Sequence, residues 1–243
     1  MVNVLARKLG NFTALSDDDH LLLDQVTANA ERVGRQQDIA REGETPECVR
    51  LILSGFACRY KVLPDGQRQI VAYLLPGDFC DVHVFILRTM DHSIATLSEC
   101  TVVTIPRQAV LKLTERPTIA RALWWSTLVD EATLREWLLN VGQRRAEVRI
   151  AHLLCELLMR LRAVGLADGS YALPITQSDL ADTVGLSAVH VNRSLQTLRA
   201  QDLITFEKQT LAIPDVDRLF AFSGFNPNYL HLAYSSDARR PAA

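Results

Sequence analysis

The sequence predicts an α+β protein: an N-terminal β-roll of jelly-roll type, one long helix, and a C-terminal winged helix-turn-helix. Three observations carry this expectation. From about residue 33 to residue 105 the chain breaks into short β-prone runs separated by turn residues, the texture of a sandwich or jelly roll. Residues 117–141 then run on as one helix with few breakers. Residues 174–204, PITQSDLADTVGLSAVHVNRSLQTLRAQDLI, read as two short helices joined at Gly185.

In chain order, Ser16 followed by Asp17, Asp18 and Asp19 starts a first helix, with acids at its positive end. The clearest strands are 49–53, 56–62, 67–74 and 101–105, with Pro64-Asp65-Gly66 as a hairpin turn and Pro76-Gly77-Asp78 as another turn. The long helix is apolar on more than one side. Trp124, Leu128, Leu134, Leu138 and Val141 form one stripe, which Trp125, Ala132 and Leu139 widen. A helix with two apolar faces packs on its own domain and on a partner, so this stripe is the expected seam of a homodimer. Gly142 is the expected hinge before the next helix, 144–161.

In the C-terminal part Thr176 and Asp179 have the capping-box spacing. Gly185 occupies the place where a chain leaving a helix needs a left-handed residue, and Ser187 caps the second helix. Val191, Leu195 and Leu198 mark that helix's buried face. Its outer face then carries Ala188, Val189, Asn192, Arg193, Gln196 and Arg199: two arginines and no acid, a surface suited to a DNA groove. Arg193 is the expected base reader, Asn192 the second, and Val189 and Ala188 are matched to a thymine methyl. His190 and Gln177, at helix starts, are expected on the DNA backbone, and Ser187 is counted with the DNA-binding residues. The runs 203–206 and 210–213 make a wing hairpin, and Lys208 at its tip is the expected phosphate contact.

The 26 Lys and Arg against 28 Asp and Glu argue against a protein that coats nucleic acid, but not against a local DNA site. No apolar run reaches the ~18 residues that span a bilayer, and the first residues lack the apolar core of a secretory signal, so a cytoplasmic protein is expected. Five widely spaced cysteines favour reduced thiols over a disulfide framework and present no ready zinc site.

With these residues the chain resembles the Crp/Fnr superfamily of bacterial transcription regulators. The run from Leu180-Ala181-Asp182 through Gly185-Leu186-Ser187 to Val191-Asn192-Arg193 is similar to that family's signature. Gly43, Ser54-Gly55, Asp65-Gly66 and Leu75-Pro76-Gly77-Asp78-Phe79 carry the likeness through the β-roll. The resemblance implies an effector-sensing β-roll over 1–116, a dimerisation helix over 117–142, a DNA-binding domain over 143–222 and a tail over 223–243. It also implies double-stranded DNA and RNA polymerase as partners, and an inverted-repeat operator.

Two departures bear on the effector. Where the cyclic-nucleotide binders of the family carry a Gly-Glu pair and an Arg-Ser pair, this chain has Cys80-Asp81 and His92-Ser93. Histidine lacks the permanent forked charge that holds a cyclic phosphate, so no response to cyclic AMP is expected, unless a base such as Arg88 swings in. The first cysteine is Cys48, so the N-terminal cluster of the iron–sulfur relatives is missing and no cofactor is expected. The expected pocket is bracketed by Cys80, Asp81, His83, His92 and Ser93, with Asp81 and His83 sharing one face of a strand. A metal-dependent jelly-roll enzyme, or a metal- or haem-sensing regulator using His83, His92 and Asp81, is the alternative reading of the same residues.

Overall fold

The capping box expected at Ser16 is present in the computed structural model, which describes residues 3–82 and 86–232. The Ser16 hydroxyl accepts from the Asp19 amide while the Asp19 carboxylate accepts from the Ser16 amide, and helix α2 (Asp17–Val26) follows. A helix that the sequence reading lacked precedes it: α1 (Val4–Gly10), capped by Asn3, whose Oδ1 accepts from Leu5 and Ala6. Leu5 and Leu9 of α1 are fully buried under the β-roll.

The roll is two antiparallel sheets. One has the order β1 (Ala30–Val33), β7 (Cys100–Pro106), β3 (Cys48–Ser54). The other runs β2 (Asp38–Ala40), β6 (Ser93–Thr96), β4 (Ala57–Val62), β5 (Arg68–Leu74). The four strands read from sequence are β3, β4, β5 and β7; β1, β2 and β6 are three or four residues long and have no alternating pattern of their own. The chain after the Pro76-Gly77-Asp78 turn corrects one expectation. Phe79 makes a single bridge to Leu51, and Asp81 and Val82 lie in no strand, so the shared strand face proposed for Asp81 and His83 does not form at Asp81. His83 itself lies outside the described residues.

Alternate residues of β3 and β7 (Val49, Leu51, Val103, Ile105) pack with Leu5, Leu9 and Leu23. Helix α3 (Arg107–Thr114) and the start of α4 (Pro117–Gln143) close that core with Leu113, Ile119 and Leu123. The long helix runs straight through Gly142. The break falls at Arg144-Arg145 and α5 is Ala146–Ala163, so the expected hinge at Gly142 moves two residues on. Glycine costs a helix only about 1 kcal/mol, and here the neighbouring turns outweigh it.

Beyond α5 come β8 (Ser170–Ala172), α6 (Gln177–Val184), α7 (Ala188–Ala200), and the hairpin β9 (Thr205–Glu207) and β10 (Thr210–Ala212). β8 pairs with β10, so the wing belongs to a three-stranded sheet. Helix α8 (Val216–Ser223) and a 3₁₀ turn at Pro227–Leu230 follow. Asp215 caps α8 and Gly224 ends it at φ +61°, two signals present in the sequence. The core of this half is continuous with the roll: Ile70 and Tyr73 of β5 belong to the same buried cluster as Trp137, Leu154, Leu180 and Leu198.

Candidate nucleic-acid interface and effector cavity

Helix α6 begins with the expected capping box between Thr176 and Asp179 and ends at Gly185, whose φ is +63°. A side chain there would be strained by that backbone. The turn at Gly185 lies against the long helix, since a Cβ on Gly185 would meet Val141 Cγ1 at 3.5 Å. Val141, which the sequence places on the apolar stripe of α4, thus lies beside this turn. Arg149 of α5 donates to the carbonyls of Val184 (2.5 Å) and Arg144 (3.0 Å), tying the end of α6 to the α4–α5 break.

Ser187 caps α7 through the His190 amide, and its hydroxyl also lies 3.3 Å from His190 Nδ1. Val191 and Leu198 are fully buried and Leu195 nearly so. Ala188, Val189, His190, Asn192, Arg193, Gln196 and Arg199 are all exposed, as is Gln177 at the start of α6. The exposed side chains of α7 lie on the side of the helix away from Val191, Leu195 and Leu198. Arg199 has a neighbour that the sequence reading missed: its guanidinium carbon lies 5.9 Å from the ring centroid of Phe206 in β9. That stacking aligns the far end of α7 with the wing. Lys208 and Gln209 form the wing tip, with φ of +47° and +65°, the paired positive values of a tight hairpin turn. Lys208 is exposed.

A cavity of about 420 Å³ lies between the second sheet and α4. Its lining includes Arg59, Tyr73, His92, Ser126, Asp130 and Arg160. Of the residues expected to form it, His92 faces the space, whereas Cys80, Asp81 and Ser93 are not in its lining. Cys80 is fully buried, and burial pushes its thiol well up, so it packs as an apolar group. The Ser93 hydroxyl accepts from the Glu42 amide. Asp81 lies behind the imidazole: His92 Nε2 is 3.2 Å from Asp81 Oδ1, and His92 Nδ1 is 2.6 Å from Asp91 Oδ1. The histidine is thus flanked by two carboxylates. Among the described residues no group of three or more His, Cys, Asp or Glu is placed to hold a metal.

The cations in the cavity wall are Arg59, Lys61 and Arg160; Arg88 is exposed and is not among the lining residues. Arg59 donates to the carbonyls of Cys80 (3.0 Å) and Phe79 (3.1 Å) and to Asp130 of α4 (3.1 Å). Arg160 of α5 spans the next junction, donating to Asp78 (2.6 Å), Glu156 (3.2 Å) and the Tyr73 carbonyl (2.8 Å). Burial alone would raise the Asp78 carboxyl, yet Lys8 and Arg160 outweigh it and hold the group at about 2.

On α4, Trp137 is buried edge-on against Tyr73, with ring centroids 5.6 Å apart, and donates to Glu156 at 2.9 Å. Trp125 stacks on Phe12. Trp124 (69% exposed), Leu128, Leu134, Leu138 (75% exposed) and Leu139 are exposed along α4, although Leu134 also borders the cavity. Isolated exposed apolar residues are ordinary, but a helical stripe of this size marks an interaction face.

The fold and this face define a two-domain regulator, a sensor-type roll joined by a long helix to a winged DNA-binding unit. Residues 148–222 match the family described as the Crp-like helix-turn-helix domain, and residues 30–116 match the cyclic nucleotide-binding domain. The chain is 30% identical over 179 residues to the nitrogen fixation regulation protein FixK of Azorhizobium caulinodans, covering 70% of this chain and 69% of that protein. It is 27% identical over 194 residues to the transcriptional activator protein FnrL of Cereibacter sphaeroides, covering 77% of each. The solved structure of FixK2 from Bradyrhizobium japonicum superposes with a TM-score of 0.70 at 27% identity, over 80% of this chain and 96% of that one. The chain belongs to the Crp/Fnr superfamily of transcription regulators. Family members are transcription regulators, so the jelly-roll enzyme reading gives way to the regulatory one.

Proposed function

We propose that this chain is a cytoplasmic homodimer that reads an inverted-repeat operator with α7 and acts on transcription together with RNA polymerase, with no catalytic activity of its own. The observation that carries this reading is the open face of α7, where Ala188, Val189, Asn192, Arg193, Gln196 and Arg199 stand exposed with no acid among them. Arg193 presents a planar fork to a guanine edge, Asn192 serves as second reader, and Val189 with Ala188 meets a thymine methyl. Ser187, His190, Gln177, Arg199 and Lys208 hold the backbone. The exposed apolar stripe of α4, Trp124, Leu128, Leu134 and Leu138, supports a two-fold seam. The working division is a sensor roll over 1–116, the dimer helix over 117–142, the DNA-binding domain over 143–222 and the tail beyond.

The cavity does not suit cyclic AMP. His92 Nδ1 is hydrogen-bonded to Asp91 while its Nε2 lies 3.2 Å from the Asp81 carboxylate, Lys61 is engaged by Glu42, and Arg59 is committed to Asp130 and two carbonyls, so a cyclic phosphate would enter beside carboxylates and compete for cations already paired. An ion left without its partner in such a site costs several kcal/mol. Sedimentation of the full chain tests the dimer, and calorimetry with cyclic AMP and cyclic GMP tests the cavity. The reading expects a dimer at micromolar concentration and no micromolar nucleotide binding. A monomer that holds a single half-site tightly contradicts the first point, and micromolar binding of either nucleotide contradicts the second.

A further inference from the structure

Strand β5 is the outer strand of its sheet, and the first helix of the helix-turn-helix packs against it. An edge strand left open is a liability, so what packs against it is informative. Three side chains of β5 grip α6. Arg68 Nη2 lies 2.6 Å from Asp179 Oδ1, and its Nε lies 2.8 Å from Asp182 Oδ2. Gln69 Nε2 donates to the Thr183 carbonyl at 3.1 Å. The Tyr73 hydroxyl shares a buried 2.5 Å hydrogen bond with Thr183 Oγ1. Asp179, Asp182 and Thr183 are spaced i, i+3, i+4 and so form one face of α6. Asp179 divides its oxygens: Oδ2 closes the helix cap on Thr176, and Oδ1 is given to Arg68.

The same strand borders the cavity, which Val71, Ala72 and Tyr73 line. Tyr73 has its ring against Trp137 of the dimer helix and its hydroxyl on α6, and Arg160 holds its carbonyl. One strand therefore touches the cavity, the long helix and the DNA-binding unit. In this docked arrangement the reading face of α7 is fully open, so the grip is compatible with binding DNA.

We propose that Arg68 and Tyr73 are positioning residues for DNA recognition: from the sensor domain they hold α6, and through it α7, in the placement that reads an operator. Neither residue touches DNA. The inference rests on the reading of α7 given above. Releasing the grip lets the winged domain sample other placements, and the apparent affinity falls by the fraction of chains still correctly placed.

The test uses the full chain and the DNA that the wild-type protein enriches from a random pool. Arg68→Ala and Tyr73→Phe are each expected to weaken binding to that DNA by about tenfold, within the usual range of interdomain coupling. Affinity for scrambled DNA should stay near wild type, and the loss on the operator should persist well below each variant's melting transition, where the chain is fully folded, which a merely structural role would not permit. Arg68→Asp and Asp182→Arg should each weaken operator binding, and the doubly reversed chain should recover most of it. Wild-type operator affinity in both Arg68→Ala and Tyr73→Phe overturns the proposal, as does a loss that falls equally on scrambled DNA. A wild-type chain that enriches no sequence overturns the regulatory reading itself, and the coupling with it.

Discussion

The Tyr229 hydroxyl donates to Glu156 Oε2 at 2.9 Å, the same oxygen that accepts Trp137 Nε1 at 2.9 Å. The segment after α8 is thus fastened to α5 and α4 by one fully buried carboxylate. Phe225 and Tyr229 also flank His152, with ring centroids 4.9 and 6.0 Å away. Tyr229→Phe removes one hydrogen bond to a buried carboxylate and should lower unfolding free energy by about 1.5–3 kcal/mol. A urea midpoint unchanged by the substitution would show that the segment is only lightly held.

Asp78 supplies a pH signature. Its carboxyl lies at about 2 in the folded chain, below its ordinary value of 3.8. A group depressed on folding stabilises above its unfolded value and loses that contribution as pH falls through its folded value. The Lys8–Asp78–Arg160 cluster should therefore contribute about 2 kcal/mol at neutral pH and lose it between roughly pH 4 and pH 2. Asp78→Asn should melt lower than wild type at pH 7, with the gap closing across that window. A constant gap would mean that Asp78 acts through packing alone.

His152 should act in a different window. Burial, with the nearby Arg144, brings the imidazole down from 6.5 to about 3, so it stays neutral in the fold while the unfolded chain takes up a proton. Stability should fall as pH drops from 6.5 towards 3, by at most about 1.4 kcal/mol per pH unit from this group. His152→Gln should flatten that slope, and chemical unfolding at pH 7, 6 and 5 measures it. An unaltered slope would place the proton uptake elsewhere.

On α7, Arg193→Ala should cost about 1–3 kcal/mol of operator affinity and relax the preference at one position in each half-site. His190→Ala and Gln177→Ala should weaken all sequences evenly. A changed base preference in the His190 variant would make it a reader instead.

What the sequence reveals here follows the range of the interactions. The caps at Ser16, Thr176 and Ser187, the left-handed Gly185 and the apolar stripe of α7 are local, and all are found in place. Arg59, Arg68 and Arg160 could not be found that way. Apart from the i,i+4 pair of Arg160 with Glu156, their acids lie 71, 111 or 114, and 82 residues distant along the chain, and no spacing rule links those. Val141 fits the same pattern, since its place on the stripe was legible but its neighbour Gly185 was not. Asp81 and His92 lie 3.2 Å apart, but the withdrawal of Asp81 from the cavity lining, which His92 still joins, follows the turn after Pro76, where the expected strand does not continue.

The most direct test is selection of bound DNA from a random pool by the whole of this chain. The enriched DNA should be an inverted repeat whose half-sites are centred one helical turn, roughly 34 Å, apart. Binding should also weaken steeply with salt and be lost in an Arg193→Ala, Asn192→Ala double variant. Enrichment of a single unrepeated site, or no enrichment at all, would contradict a dimer that reads DNA through α7.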